Sequence, residues 1–159
     1  MKVKKILYAA ALSEDTHGSF RSAVEIAKAF DAKLFILHVV EELPPSTMAM
    51  LQWWDAEKIT KKHYEDFRKD SVEKIRALIQ QICDDAFKDD KTCKERVEGT
   101  KVVIGYPADE ILKNIDDLEC DALIMGTHSK GAVSHTFLGS VAERVLRRNR
   151  KPTFVIPSL

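Results

Sequence analysis

Long apolar stretches are missing from this 159-residue chain, and no run approaches the roughly 18 residues that a membrane-crossing helix needs. The opening Met1-Lys2-Val3-Lys4-Lys5 leads only into a short strand-like segment, so the chain reads as cytoplasmic, with no membrane partner. Cysteine is scarce: Cys83, Cys93 and Cys120 form no CxxC pair and leave an odd number. That excludes a disulfide framework and leaves buried or incidental thiols. An excess of one charge is also absent. Twenty-five basic residues balance 25 acidic ones, so bulk electrostatics recruits no nucleic acid, and any anion must be held locally. His17, His38, His63, His128 and His135 show neither HExxH nor paired Cys/His spacing, and no metal site is expected. No G-x-S-x-G elbow exists that would make Ser13 or Ser140 a nucleophile beside His128 and Asp109. Internal repeats and low-complexity tracts are lacking too, and the length suits one domain spanning residues 1–159.

What is present is an alternation of two textures. Val3 to Leu12 and Leu34 to Val40 are apolar runs rich in strand formers and too short for helices. Runs without polar alternation belong to strands covered on both faces, which favours a parallel sheet. Between them Phe20, Ala23, Val24, Ala27 and Phe30 recur at helical steps, with Asp15 and Ser19 offering an N-cap. After Leu43-Pro44-Pro45-Ser46, the segment Met48 to Trp54 reads as an apolar loop or turn, packed into the core or else covering the sheet edge, lining the pocket or forming a partner surface. Asp55 caps a long amphipathic helix with Ile59, Phe67, Ile75, Leu78, Ile79 and Ile82 on its stripe. Asp84 to Glu95 reads as a charged surface connection, followed by a third strand, Lys101 to Ile104. Pro107 opens a helix whose Ile111, Leu112, Ile115 and Leu118 form one face. A fourth strand, Ala122 to Met125, precedes a helix with Val141, Val145 and Leu146 inward, and Pro152 to Pro157 closes as a fifth. Five strands and four helices in this order give a doubly wound α/β sheet with helices on both faces.

The segment from Gly126 to Leu146 carries the chemistry. A buried strand emptying into a glycine-spaced loop and then into a helix opening Gly139-Ser140 is how such a sheet builds a phosphate cradle. Glycine lets backbone N–H groups approach a ligand, and the helix start adds roughly half a positive charge. The same glycines also suit a tight loop with no ligand, and Ser140 also suits plain N-capping. His128 and Lys130 can meet a phosphate from that loop, or simply face solvent. If the first and fourth strands are neighbours, the loops after Ala11 and after Met125 wall one crevice, with Val39 and Val40 as an apolar face for a base.

Taken together, ILYAAALSED, LHVV, GYPADEIL and DALIMGTHSKG…FLGSVAERVL…KPTFVIP resemble the universal stress protein family over nearly the whole chain. The resemblance implies a five-stranded sheet in the order 3-2-1-4-5, of the adenine nucleotide alpha hydrolase-like type, in a protein acting in the stress response. It further implies a homodimer through the last strand, Thr153 to Ile156. In one branch of the family it implies ATP binding by a G-x2-G-x9-G-[ST] loop; other branches bind no nucleotide. Carried onto this chain, the nucleotide contacts fall on Ala11, Val39, Met125, Gly126, His128, Ser129, Gly131, Gly139, Ser140 and Val141. Two positions depart from the pattern. Ser129 stands at the middle glycine, with Gly131 two residues on, and Ala11 stands where nucleotide-binding members usually carry an aspartate. Losing one such contact is worth about 1 kcal/mol.

Arg144, Arg147, Arg148, Arg150 and Lys151 crowd a helix C-terminus, where cations complement the helix dipole. No base, nucleophile or metal-binding carboxylate is arranged at the loop, so a binding protein for ATP, ADP or AMP is expected rather than an enzyme. The rival reading is a dimeric interaction module that binds no nucleotide. A third is a phosphoryl- or adenylyl-transferring enzyme.

Overall fold

The structure, a computed structural model, describes residues 2–11, 16–42, 44–54, 61–86, 88, 95–127 and 138–157. In chain order the elements are β1 (Lys5–Ala9), α1 (Thr16–Ala29), β2 (Lys33–Glu41), α2 (Pro45–Trp54), α3 (Lys61–Ala86), β3 (Val97–Gly105), α4 (Pro107–Asp117), β4 (Ala122–Gly126), α5 (Ser140–Arg148) and β5 (Thr153–Ile156). The five strands form one sheet in the order β3-β2-β1-β4-β5, and every pairing is parallel.

Alternate residues of the central strands feed two separate cores. Ile6 and Tyr8 of β1, Leu34 and Ile36 of β2, and Ala122 and Ile124 of β4 meet Phe20, Ala23, Val24 and Ala27 of α1 and Ile79, Ile82 and Cys83 of α3. Leu7, Ala9, Leu37, Leu123 and Met125 meet Ala108, Ile111 and Ile115 of α4 and Ala142 and Val145 of α5. Both faces of β1 and β4 are therefore dry, which is why their sequences are apolar without alternation. Cys83 and Cys120 are buried and in no disulfide, and burial pushes the Cys120 thiol up to about 11, so it stays protonated and inert.

Several sequence expectations are corrected. Among the described residues there are five helices, not four, because Met48 to Trp54 belongs to α2 rather than to a loop or turn. Nor do all its apolar residues enter the core: Met50 is 67% and Trp53 93% exposed. The third strand begins at Val97, earlier than Lys101. It is an edge strand, paired on one side only, and its first half carries polar residues that do not read as core. Its pairing with β2 slips between Leu34 and Phe35, leaving Glu98 as an extra residue, a β-bulge. Gly99 beside it admits the Phe35 ring, since a Cβ there would lie 2.8 Å from that ring. Phe30, Leu78 and Leu146 are partly exposed rather than inward. Phe30 has passed the end of α1 and stacks on Phe154 of β5, ring centroids 5.5 Å apart. On α3 and α5 the inward stripe runs instead through Ile79, Ile82 and Cys83, and through Ala142 and Val145. Ser19 lies inside α1 rather than capping it; Asp15, Asp55 and Ile59 lie outside the described residues.

The amino ends of β1 and β4 are latched by one carboxylate. Asp121 Oδ2 accepts the backbone N–H groups of Lys4 at 2.8 Å and Lys5 at 3.0 Å, while the Asp121 N–H donates to the Lys5 carbonyl at 2.7 Å. Those two amides, Lys4 first, hold the Asp121 carboxyl below its ordinary value of 3.8. A depressed carboxyl stabilises the fold above its unfolded pKa, and that contribution is lost as pH falls through the folded value. Asp121→Ala is expected to cost about 1 kcal/mol at neutral pH, the site being partly exposed. It should also flatten the fall in stability below about pH 4. Urea unfolding followed by circular dichroism at pH 7 and at pH 3 measures both.

Candidate functional site

The order of the sheet reverses between β1 and β4: the chain runs outward through β2 and β3, then returns to pair β4 against β1. In open α/β sheets the ligand crevice lies at the carboxyl ends of the strands at such a point. Here Ala9 of β1 is flanked by Leu37 of β2 and Met125 of β4.

The turn leaving β1 is pinned by the main chain. Ala10 N–H donates to the Leu37 carbonyl at 2.8 Å, and the Ala10 carbonyl accepts a hydrogen bond from His38 Nδ1 at 2.7 Å. That contact puts the proton on Nδ1. The Ala11 carbonyl accepts from Thr16 Oγ1 at 3.2 Å, at the start of α1. One turn on, Ser19 Oγ donates to the Thr16 carbonyl at 3.2 Å and meets the hydroxyl of buried Tyr8 at 2.8 Å. Thr16 and His38 were missed as site-shaping residues by sequence reasoning. The available signal was a histidine inside the apolar LHVV run, where a polar group needs a partner.

On the β4 side the base of the loop is closed by two bonds. Thr127 N–H donates to the Ile156 carbonyl of β5 at 2.9 Å, and the Thr127 carbonyl accepts from Gly139 N–H at 2.7 Å. The strand end and the helix start are thereby held together. Gly139 sits at the N-cap of α5 in extended conformation (φ −61°, ψ 152°) and offers no capping side chain. Its carbonyl accepts the first helical bond, from Glu143 N–H at 2.9 Å. The N–H groups of Ser140, Val141 and Ala142 have no intrahelical acceptor, as at any helix start. The acidic residue in this first turn, Glu143, is held 2.6 Å from Arg147 one turn along.

Of the residues singled out in the sequence, Met125 is buried and Val39 and Val141 pack at the rim of the same core, on the α4 and α5 face of the sheet. Ala11 is half-buried where β1 ends, Gly126 closes β4, and Ser140 is exposed at the mouth of α5. The Gly139 amide points at Thr127 and so is committed within the protein. His128, Ser129 and Gly131 lie outside the described residues. Among the described residues no group of three or more His, Cys, Asp or Glu could hold a metal ion, and no helix is long and apolar enough to cross a membrane. Chemically, the start of α5 offers helix-start amides and one exposed hydroxyl, which suit an anion.

A parallel sheet whose strand order reverses between β1 and β4, with helices on both faces, defines the doubly wound α/β class. The model of the universal stress protein family matches residues 2–157, and the chain belongs to that family. A universal stress protein of Methanocaldococcus jannaschii is 26% identical over 96% of this chain and 94% of its own length. Its solved structure superposes with a TM-score of 0.70 at 24% identity, covering 100% of this chain and 99% of the other. A universal stress protein solved in complex with cAMP gives a TM-score of 0.62 at 20% identity over 98% of each chain. One from Archaeoglobus fulgidus in complex with dAMP gives 0.53 at 16% identity, over 98% of this chain and 99% of that one.

The bond between His38 and the nearly buried Ala10 fixes the crevice wall. His38→Phe removes the donor while keeping an aromatic ring, and is expected to cost about 1–3 kcal/mol through the carbonyl left behind. A urea titration followed by circular dichroism gives the value.

Proposed function

We propose that this chain is a single-domain, cytoplasmic universal stress protein that binds an adenine nucleotide at the switch-point crevice and responds to stress as a sensor rather than an enzyme. The observation that carries the reading is the mouth of α5. Its cap is a glycine without a side chain, so the amides of Ser140, Val141 and Ala142 receive no side-chain cap from it, and Val141 and Val39 pack on the core that holds Met125. Phosphates would lie against those amides and in the loop that holds Gly126, His128, Ser129 and Gly131. The base would lie against Val39, with Ala11 between. The cAMP and dAMP complexes of two proteins sharing this fold support an adenine nucleotide as the ligand. The relatives are named as stress proteins, not as enzymes, which supports a binding role. A second reading, an interaction module that binds no nucleotide, has one observation in its favour: Ser46, Ala49, Met50 and Trp53 line one exposed face of α2.

Homodimerisation through Thr153 to Ile156 is part of the proposal. β5 is the outermost strand beyond β4. The carbonyls of Pro152 and Ile156 point to β4, accepting from Leu123 and Thr127 at 2.9 Å each. By the alternation of a parallel strand, the main-chain groups of Thr153 and Val155 face outward, open to a partner strand.

Two experiments test this reading. Denaturing the purified protein should release an adenine nucleotide into the supernatant. ATP added at about a hundred times its dissociation constant should add about 2.7 kcal/mol of stability, a rise of roughly 5–10 °C in Tm for a chain of this size. Neither release nor shift would leave the interaction module as the better reading. For the dimer, Val155→Pro deletes an outward N–H that the monomer does not use. Light scattering on a sizing column should show a dimer for the natural chain and a monomer for the variant.

A further inference from the structure

We propose that a second copy of the chain pairs antiparallel with β5 in one register, Thr153 opposite the partner's Val155, so that the two Phe154 side chains meet at the two-fold axis, flanked by the two Phe30 rings. This rests on the homodimer reading above and specifies its interface. All four residues of the outermost strand, β5, are half-buried, whereas neighbouring β4 is buried from Ala122 to Met125. Phe154 and Ile156 point to the face covered by α1 and α3, packing on the first core. Phe30, just past the end of α1, stacks on Phe154 with ring centroids 5.5 Å apart and is still 44% exposed. An aromatic pair thus lies beside the sheet edge, partly in water.

The main chain sets the register. With the Pro152 and Ile156 carbonyls turned to β4, Thr153 and Val155 hold the outward N–H and C=O groups of the strand. The outward ladder is limited at both ends. Lys151 N–H donates to Asn149 Oδ1 at 3.2 Å, and its carbonyl accepts from Asn149 Nδ2 at 3.0 Å and Thr153 Oγ1 at 3.2 Å. Pro157 has no N–H. A two-fold axis that continues the sheet keeps each face on its own side, so every residue meets one whose side chain points the same way. Centred on Thr153, the pairing would need the committed groups of Lys151. Centred on Val155, it would rely on Pro157 and leave both Thr153 carbonyls unpaired. Centred on Phe154, each Thr153 exchanges two bonds with the partner's Val155, and every outward group of β5 is used. Phe154 then faces its own copy in a non-hydrogen-bonded pair, Cα atoms about 4.5 Å apart, where aromatic rings pack on one another.

Single cysteines placed along β5 in a Cys93→Ser background test the proposal, with mild copper-catalysed oxidation read on a non-reducing gel. Phe154→Cys should link to its own copy as a covalent dimer. Thr153→Cys and Val155→Cys should each stay unlinked alone, because such diagonal neighbours lie roughly 7–8 Å apart, beyond disulfide reach. Mixed together, those two chains should link. Phe30→Ser should raise the dissociation constant of the dimer about tenfold in sedimentation, since each dimer loses two rings. Val155→Cys or Thr153→Cys linking alone, in place of Phe154→Cys, overturns the register, and an unchanged dissociation constant for Phe30→Ser overturns the aromatic anchor. A dimer in which no position links overturns the proposal while leaving homodimerisation intact. A natural chain that sediments as a monomer removes the homodimer reading and the proposal with it. The mixed pair decides the register even if Phe154→Cys does not fold.

Discussion

The constraint on which the rest depends is the two-sided burial of β1 and β4. Ile6, Leu7, Ala122, Leu123 and Ile124 have no exposed surface at all, and each successive residue enters a different core. Shifting either strand by one residue would send the whole set to the wrong face. That locks the register in which Ala9 meets Met125. Once the register is fixed, the ends of the strands are fixed too, and so is the place where the sheet order reverses. The switch point is a consequence of packing more than of any residue near it.

Around that scaffold the polar contacts are few and placed at the strand ends. Asp121 latches the amino ends of β1 and β4, while Thr127 with Gly139, and Ala10 with His38, set the carboxyl ends. Lys151 works similarly at the far side of α4, where Nζ donates to the Cys120 carbonyl at 2.8 Å and the Ile115 carbonyl at 3.3 Å. It also meets Asp116 at 3.1 Å. A cation at a helix C-terminus satisfies carbonyls that the helix itself leaves open. Part of the basic cluster near the chain end is thereby explained as structure: Arg147 pairs with Glu143 and Arg148 with Asp109.

What was legible in the sequence follows from this division. Strands buried on both faces are written as unbroken apolar runs, so β2 and β4 could be read within a residue and β1, read as Val3 to Leu12, within three. The edge strand β3 was read only in its second half, because an edge tolerates Glu98 and Thr100 where a central strand does not. α2 was missed because MAMLQWW has no polar face to reveal a helical period. Leu78 and Leu146 look apolar enough for the core but sit one step off the buried stripe. At the candidate site Val39, Met125 and Val141 were named from the sequence, and they meet on one core. The destination of the Gly139 amide could not be read, since it depends on a carbonyl that only the fold brings within reach. The roles of Thr16 and His38 were hidden for the same reason.

Both tryptophans of the chain, Trp53 and Trp54, fall on α2. Indole emission from this protein therefore originates on that one helix, with the Trp53 ring almost wholly in water. Optical signals from those rings describe α2 and its immediate surroundings. The collapse of the sheet leaves its mark instead in the backbone and in Tyr8, stacked 5.9 Å from Phe20 within the first core.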